Sequence, residues 1–232
     1  MTPASRLAEH LGLRLGDLTL LSQALIHSSY LHEQPAAGKS NERLEFLGDS
    51  VISLVVSEAL WSRYPDEDEG SLTTRRAAIV SARGLSRIAQ RLGLAEFLSL
   101  GLGAAAAGEG ARNSVLAATF EAVTGAIYLD LGLDLTRAWL LDVCAPALDD
   151  QYTLDDLKAP KSLLQERSYA RTGKAPQYRL VSEEGPPHSK YYVVEAVVGG
   201  ESLGRGEGRS RREAETAAAR QALEQLPQGS TR

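Results

Sequence analysis

The sequence predicts an all-α domain followed by a small α+β domain with the element order α-β-β-β-α. Through the first 148 residues, apolar side chains recur at three- and four-residue spacing, as in amphipathic helices. Alternating apolar and polar residues, which are typical of strands, come after residue 160, beyond a polar and acidic stretch. We therefore predict domains at 1–148 and 161–226, with a linker at 149–160 and a tail at 227–232.

The first domain contains runs such as 50–60 and 82–94, each with one apolar helix face. Three glycines follow such runs and are predicted to be C-terminal helix caps: Gly12, Gly93 and Gly132. The segment 101–110, with four consecutive alanines between glycines, is predicted to be a flexible loop. The alternative for its alanines, 104–107, is a helical turn.

The second domain is predicted to form one antiparallel three-stranded sheet backed by two helices. The first helix is predicted at 161–171 and the second at 210–226, where Ser210 and Glu213 form a capping box. Three alternating segments predict the strands: 177–183, 190–198 and 201–207.

The formal charge of −5 is divided unevenly along the chain. Residues 1–157 carry 12 Lys and Arg against 21 Asp and Glu, whereas residues 158–226 carry 12 against 9. This asymmetry predicts a basic module that binds phosphates and an acidic module that holds cations. Alternatively, the acids only keep the first domain soluble, and charge alone does not separate the two interpretations.

No run of about 18 apolar residues is present and the N-terminus lacks an apolar signal core, so we predict a cytoplasmic protein without a membrane partner. The single cysteine, Cys144, excludes an internal disulfide and a cysteine-rich zinc site. Because it lies in an apolar stretch, it is predicted to be a buried structural thiol and not a nucleophile.

The segment 41–50 places three carboxylates at helical spacing: Glu42, Glu45 and Asp49. Positions i, i+3 and i+7 share one helix face, and the opposite face is predicted to enter the core with Leu44, Leu47 and Val51. Spacing alone also fits a solvated acidic face. The apolar residues that flank the acids favour partial burial, which makes carboxylates without a cation costly.

A second helical run, 115–123, contains one acid, Glu121, among small and apolar neighbours. Alternatively, Glu121 forms a salt bridge, and the sequence alone does not favour either interpretation. Together, Glu45, Asp49 and Glu121 would give an all-oxygen site of the kind that Mg²⁺ prefers.

The segment 41–50 resembles the signature of the ribonuclease III family over ten residues. Residues 27–30 and 69–70 resemble two further segments of that family, and the resemblance covers nearly the whole chain. It implies that the first domain is a nuclease domain.

The resemblance also implies roles for the acids. Glu45, Asp49 and Glu121 would hold Mg²⁺, with Mn²⁺ as a substitute, and Asp49 and Glu121 would be central to catalysis together with Glu45. Glu42 and Glu69 would support the site.

In the family, the residue at Phe46 contacts a second subunit, so the resemblance implies a homodimer in which this ring enters a pocket of the partner. An ordinary core aromatic is the alternative. His27 is predicted to be structural.

One position departs from the family pattern, which has an aspartate where this chain has Ala118, three residues before Glu121 on the same helix face. Alanine cannot coordinate a cation, so we predict weaker metal binding and impaired cleavage. An engineered form that traps substrate and a naturally weakened enzyme both fit, and the intact remainder of the site favours the first.

Three segments of the second domain resemble the double-stranded-RNA-binding domain: 161–166, 185–188 and 206–215. Because A-form RNA exposes 2′-hydroxyls in a shallow minor groove, Gln165 and Glu166 are predicted to bond hydroxyls and base edges. His188 would reach a neighbouring minor groove, and Arg211 and Arg212 would bind the phosphates between. Simple surface charge is the alternative for Glu166 and for the two arginines.

We therefore predict an endoribonuclease that acts on double-stranded RNA, typically precursor ribosomal and structured messenger RNA, by Mg²⁺-dependent hydrolysis. Products with 5′-phosphate and 3′-hydroxyl ends follow from the resemblance, and no organic cofactor is expected. The alternative is a double-stranded-RNA-binding protein with little or no cleavage, which Ala118 motivates. A helical scaffold whose acids are only surface charge is a third interpretation.

Overall fold

A computed structural model describes residues 1–149, 154–186 and 189–226, and the chain separates into two compact units, Met1–Gln151 and Tyr152–Arg232. The first unit is helical, as predicted. Its α-helices are α1 (Pro3–His10), α2 (Leu18–Ala24), α3 (Ser28–Glu33), α4 (Glu42–Arg63), α5 (Glu69–Val80), α6 (Ala82–Arg91), α7 (Leu102–Ala106) and α8 (Asn113–Leu148). Short 3-10 turns lie at Pro35–Ala37, Leu94–Phe97 and Glu109–Ala111.

The three predicted cap glycines all have positive φ. Gly12 and Gly93 follow the ends of α1 and α6, as predicted. Gly132, with φ 76° and ψ 178°, kinks α8 instead of ending it, because the chain resumes a helix beyond it. The alanine-rich segment forms α7, so the prediction of a flexible loop is wrong there, and the high helix propensity of alanine explains the difference.

The core of the first unit is built around α8, against which α4 and α6 pack. By length and composition α8 could cross a membrane, but 61% of its most apolar window is buried inside the unit. Burial of that extent is the property of a core helix, so the apolar character of α8 is accounted for by packing.

Helices α4 and α8 touch backbone to backbone where they cross. A Cβ atom on Gly48 would lie 1.8 Å from the carbonyl oxygen of Glu121, and a Cβ atom on Gly125 would lie 2.3 Å from the carbonyl oxygen of Leu44. Only glycine permits this approach. The crossing therefore sets the acidic turns of α4 beside Glu121 of α8.

The second unit confirms the predicted α+β class and its element order. Its elements are α9 (Leu154–Leu157), α10 (Pro160–Thr172), β1 (Gln177–Glu184), β2 (Tyr191–Val198), β3 (Glu201–Gly208) and α11 (Arg211–Gln225). The strands form an antiparallel sheet in the order β1-β2-β3, with Tyr178 opposite Ala196 and Val194 opposite Gly206. The short helix α9, within the predicted linker, was not foreseen.

Helix α11 begins with the predicted Ser210 cap and lies directly on β3. The Ser210 hydroxyl accepts the N–H of Glu213 at 3.2 Å, while the Glu213 carboxylate accepts the N–H of Arg209 at 2.9 Å, one residue earlier than a standard capping box. A Cβ atom on Gly206 would lie 2.0 Å from the amide nitrogen of Ala218. The helix and the strand are therefore in direct backbone contact.

Candidate active site and nucleic-acid interface

Four carboxylates, which we call the acidic cluster, surround the crossing of α4 and α8: Glu42, Glu45, Asp49 and Glu121. Glu45 and Glu121 are half-buried, whereas Glu42 and Asp49 are exposed. The apolar side of α4 supports this arrangement, because Leu44 and Val51 are buried. Leu47, which was predicted to face the core with them, is only half-buried.

The acids of the cluster influence one another's ionisation. Burial, and then the charges of Asp49 and Glu45, raise the pKa of Glu121 to about 7. Burial, and then repulsion by Glu42 and Asp49, raise the pKa of Glu45, while His27 opposes the shift. Carboxylates from two helices therefore converge closely enough to disfavour each other's negative charge.

The donor chemistry of the cluster fits a hard divalent cation. Its oxygens are the ligands that Mg²⁺ prefers, and a cation would offset both the burial and the repulsion that raise the pKa of Glu121. Within the described ranges, no three His, Cys, Asp or Glu side chains are gathered into a ready-made metal cage. Mg²⁺ commonly binds through one or two carboxylates and keeps several waters, so an open cluster of this kind is compatible with it.

Replacing Glu121 with glutamine should stabilise the cation-free protein at pH 8 but not at pH 5. The folded-state pKa of Glu121, about 7, exceeds the ordinary value of 4.5. The contribution of this carboxyl to the free energy of unfolding is therefore complete below pH 4.5 and is lost as the pH rises through 7. With allowance for the half-exposed side chain, Glu121→Gln should gain about 1–2 kcal/mol at pH 8.

Thermal unfolding of the cation-free protein at the two pH values measures this gain. Glu9→Gln, on the exposed side of α1, is the control and should change little at either pH. A loss of stability in Glu121→Gln at pH 8 would contradict the cost that burial and the neighbouring charges impose on the ionised Glu121 carboxylate.

Local hydrogen bonds hold the rim of the cluster. The Ser40 hydroxyl donates to the Glu42 carboxylate at 2.8 Å. His27 caps α3, its Nδ1 lying 2.8 Å from the Ser29 hydroxyl and 3.3 Å from the Ser29 amide nitrogen. These contacts are those of the structural residue that was predicted for His27, and the contact between Ser40 and Glu42 is one that the sequence did not reveal.

Ala118 and Glu69 differ in their relation to the cluster. Ala118 is half-buried on α8, one turn before Glu121, so a methyl group lies on the face that carries this carboxylate.

Glu69 begins α5, where it accepts the Thr73 hydroxyl at 3.0 Å, and it lines a cavity with the C-terminal half of α4. That part of α4 is about 20 Å from Glu45 along the helix, so the structure does not bring Glu69 to the cluster of its own chain.

Cys144 is buried, and burial raises the pKa of its thiol to about 11. A thiol of this kind is a weak nucleophile at neutral pH because almost none of it is ionised. The environment is that of the structural thiol that was predicted.

In the second unit, the exposed face of α10 carries Gln165 and Glu166. The Glu166 carboxylate pairs with Lys158 at 2.5 Å, a partner that the sequence did not indicate. At the start of α11, Arg211 and Arg212 are exposed, and Arg211 donates to Glu215 at 3.0 Å. His188, predicted to contact RNA, lies outside the described residues.

The chain thus combines a helical unit in which carboxylates converge with a second unit that has a polar helix face and arginines at a helix start. Residues 17–147 match a family model described as ribonuclease-III-like, and residues 160–226 match a model described as double-stranded RNA binding motif. The first match lies in the first unit and the second match in the second unit.

Two proteins named ribonuclease 3 are similar over most of the chain. That of Natranaerobius thermophilus is 42% identical over 222 residues, 95% of each chain. That of Myxococcus xanthus is 41% identical over 230 residues, which are 97% of this chain and 88% of the relative.

Among solved structures, a nuclease domain of ribonuclease III from Campylobacter jejuni is 33% identical and has a TM-score of 0.57. The match covers 61% of this chain and 96% of that domain, which is described as having structural flexibility in a region involved in dimer formation. This chain therefore belongs to the ribonuclease III family and is an endoribonuclease with a double-stranded-RNA-binding domain.

Proposed function

We propose that this chain hydrolyses the phosphodiester backbone of double-stranded RNA with Mg²⁺, leaving 5′-phosphate and 3′-hydroxyl ends. The substrates we propose are precursor ribosomal and structured messenger RNAs in the cytoplasm. The observation that carries the proposal is the convergence of carboxylates from α4 and α8 at the Gly48–Gly125 crossing, where burial and the charges of Asp49 and Glu45 raise the pKa of Glu121. Perturbed carboxylates from two elements are typical of sites that bind and use a cation.

Glu45, Asp49 and Glu121 would hold Mg²⁺, or Mn²⁺ as a substitute. When bound, the cation would supply the positive charge that stabilises charge on the phosphate in the transition state. The protein holds the carboxylates together through the Gly48–Gly125 crossing. Because burial and the neighbouring acids raise the pKa of Glu121, cation binding should release a proton from its carboxyl.

Duplex binding with little or no cleavage is the second candidate, because Ala118 offers no ligand to the cluster. A long RNA duplex incubated with Mg²⁺ separates the two, with binding and the chemistry of the new ends measured in parallel. Cleavage with 5′-phosphate ends that Glu45→Gln abolishes supports the nuclease. Retained binding without detectable hydrolysis supports the second candidate for this chain, and no cleavage after Ala118→Asp as well would defeat the first.

We propose that the chain acts as a homodimer in which Phe46 enters the partner subunit. Phe46 is 78% exposed, which excludes the core-aromatic alternative within one chain. Leu54 and Trp61, 46% and 73% exposed, share its side of α4. Three large apolar side chains on one exposed helix face indicate a surface that a partner covers.

The cavity between α4 and α5 is the socket that we propose for the ring. Its volume is about 1110 Å³, and Trp61, Leu72 and Glu69 are among its lining residues. Because Phe46 adjoins Glu45 in sequence, a ring seated in this cavity would bring Glu69 toward the acidic cluster of the opposite subunit. This arrangement reconciles the proposed supporting role of Glu69 with its distance from the cluster of its own chain.

Phe46→Ser should weaken self-association at least about 30-fold, because buried aromatic anchors dominate interface energies. Sedimentation velocity over a range of protein concentrations gives the dissociation constant. Leu102→Ser is the matched control, since Leu102 is 79% exposed on α7 and should leave the dimer intact. An unchanged dissociation constant in Phe46→Ser would rule out the proposed anchor.

A further inference from the structure

Glu215 joins the starts of the two helices of the second unit. Its carboxylate accepts from the Lys161 ammonium, at the beginning of α10, at 2.6 Å and from the Arg211 guanidinium, at the beginning of α11, at 3.0 Å. Its side chain is only 15% exposed. Although burial alone would raise it, the pKa of Glu215 is lowered on balance, because both cations favour the ionised form.

Lys161, at one end of the bridge that Glu215 forms between α10 and α11, makes a second contact. The ammonium lies 4.7 Å from the centroid of the Tyr178 ring on β1, in the geometry of a cation–π contact. Burial, and then the charge of Glu215, raise the pKa of Tyr178 to about 12. In the described part of the chain, the buried Tyr178 hydroxyl has no hydrogen-bond partner, although an unsatisfied buried polar group is costly.

The bridge connects the two elements that are proposed to contact RNA. Gln165 and Glu166 follow Lys161 by about one turn on α10, and Arg212 adjoins Arg211 on α11. Helix α11 is already fixed by its contact with β3 at Gly206. The Glu215–Lys161 bond therefore ties the start of α10 to a helix that packs directly on the sheet.

We propose that Glu215 is a positioning residue for duplex RNA. It holds the polar face of α10 and the basic start of α11 at the separation that a minor groove and its neighbouring phosphates require. By engaging Arg211, it leaves Arg212 as the arginine of this pair that binds phosphate. This inference rests on the RNA contacts proposed for these two helices.

Simple electrostatics makes the opposite prediction. An acidic side chain beside a phosphate-binding helix start repels RNA, so its neutralisation should strengthen binding and make it more dependent on salt. Positioning predicts weaker binding when Glu215 is neutralised, even though the domain becomes more basic. The direction of the change in RNA affinity therefore decides between positioning and simple electrostatics.

The test compares the full-length protein with its Glu215→Gln variant on a blunt RNA duplex of about 20 base pairs, longer than the roughly 16 that one such domain spans. Dissociation constants are measured with EDTA at several salt concentrations. We expect at least about fivefold weaker binding at each salt concentration, measured at a temperature well below the unfolding transition of either protein. Glu224→Gln removes the same charge from an exposed position of α11 and should not weaken binding.

A double variant distinguishes the loss of RNA affinity that positioning predicts from a general structural loss. Because Lys161 and Glu215 act through one bond, Lys161→Gln with Glu215→Gln should bind no more weakly than the poorer single variant. Equal or tighter binding in Glu215→Gln overturns the inference, as does additive loss in the double variant. Gln165→Ala and Arg212→Gln test the proposed RNA contacts separately, since unchanged binding in both would reject those contacts whatever Glu215 does.

Discussion

Replacing Ala118 with aspartate should raise the rate of duplex RNA cleavage at least about 100-fold, because even outer contacts of metal sites are commonly worth 10- to 100-fold. The new carboxylate would lie one helical turn from Glu121, on the same face of α8. It would join Glu45 and Asp49, which already share the electrostatic environment of Glu121. Without a cation, the same substitution should lower stability, because it adds a carboxylate to the three that already repel one another, Glu45, Asp49 and Glu121.

Single-turnover cleavage at saturating protein separates the chemical step from RNA binding. Duplex affinity should stay within about twofold of the parent, since the contacts proposed for RNA binding lie in the second unit. Ala138→Asp is the matched control, because it adds the same charge to an exposed position of α8 beyond the Gly132 kink. Equal cleavage rates for the parent and Ala118→Asp would mean that this position is not a ligand position in this chain.

The second large effect is expected at the helix crossing. In Gly48→Ala, the new Cβ would lie 1.8 Å from the carbonyl oxygen of Glu121 and 2.9 Å from the amide nitrogen of Gly125. Both neighbours are backbone atoms, so α4 and α8 must separate. We expect a loss of about 3 kcal/mol in the free energy of unfolding, at the upper end of overpacking costs.

Chemical denaturation of the two variants Gly48→Ala and Gly103→Ala measures this cost. A Cβ atom on Gly103, in α7, meets no atom within 4 Å, so this substitution should be neutral or slightly stabilising. Separation of the helices should also reduce the repulsion on Glu121 and return its pKa toward 4.5. A change below about 0.5 kcal/mol in Gly48→Ala would show that the crossing can relax without cost.

The sequence predicted the fold class because apolar residues recur at helical spacing in the first domain and alternate with polar residues in parts of the second. Each pattern places the apolar side chains on one face of a helix or a strand, and that face packs in the core. It predicted Glu45, Asp49 and Glu121 as candidates by helical spacing and by resemblance. It did not predict that Gly48 and Gly125 meet, because contacts between helices depend on packing that no local pattern encodes. The domain bounds and the roles of the site residues stay predictions.

The departures from prediction have local physical causes. Gly132 supplies the positive φ of a cap, but the helix resumes after it, and periodicity alone does not show this. The bond between Lys161 and Glu215 joins α10 to α11 and was not predicted. Ion pairs between separate elements form only after the sheet has brought those elements together, so sequence spacing cannot reveal them.

The glycines of β3 carry a consequence for how the second unit folds. Gly204 and Gly206 offer no side chain to their own sheet, and glycine in a strand interior is intrinsically unfavourable. A Cβ atom at either position would meet backbone atoms of α11 within 3 Å, so this face of β3 packs directly on the helix. The strand is therefore not expected to become ordered before the helix, and we expect residues 201–226 to fold as one cooperative element.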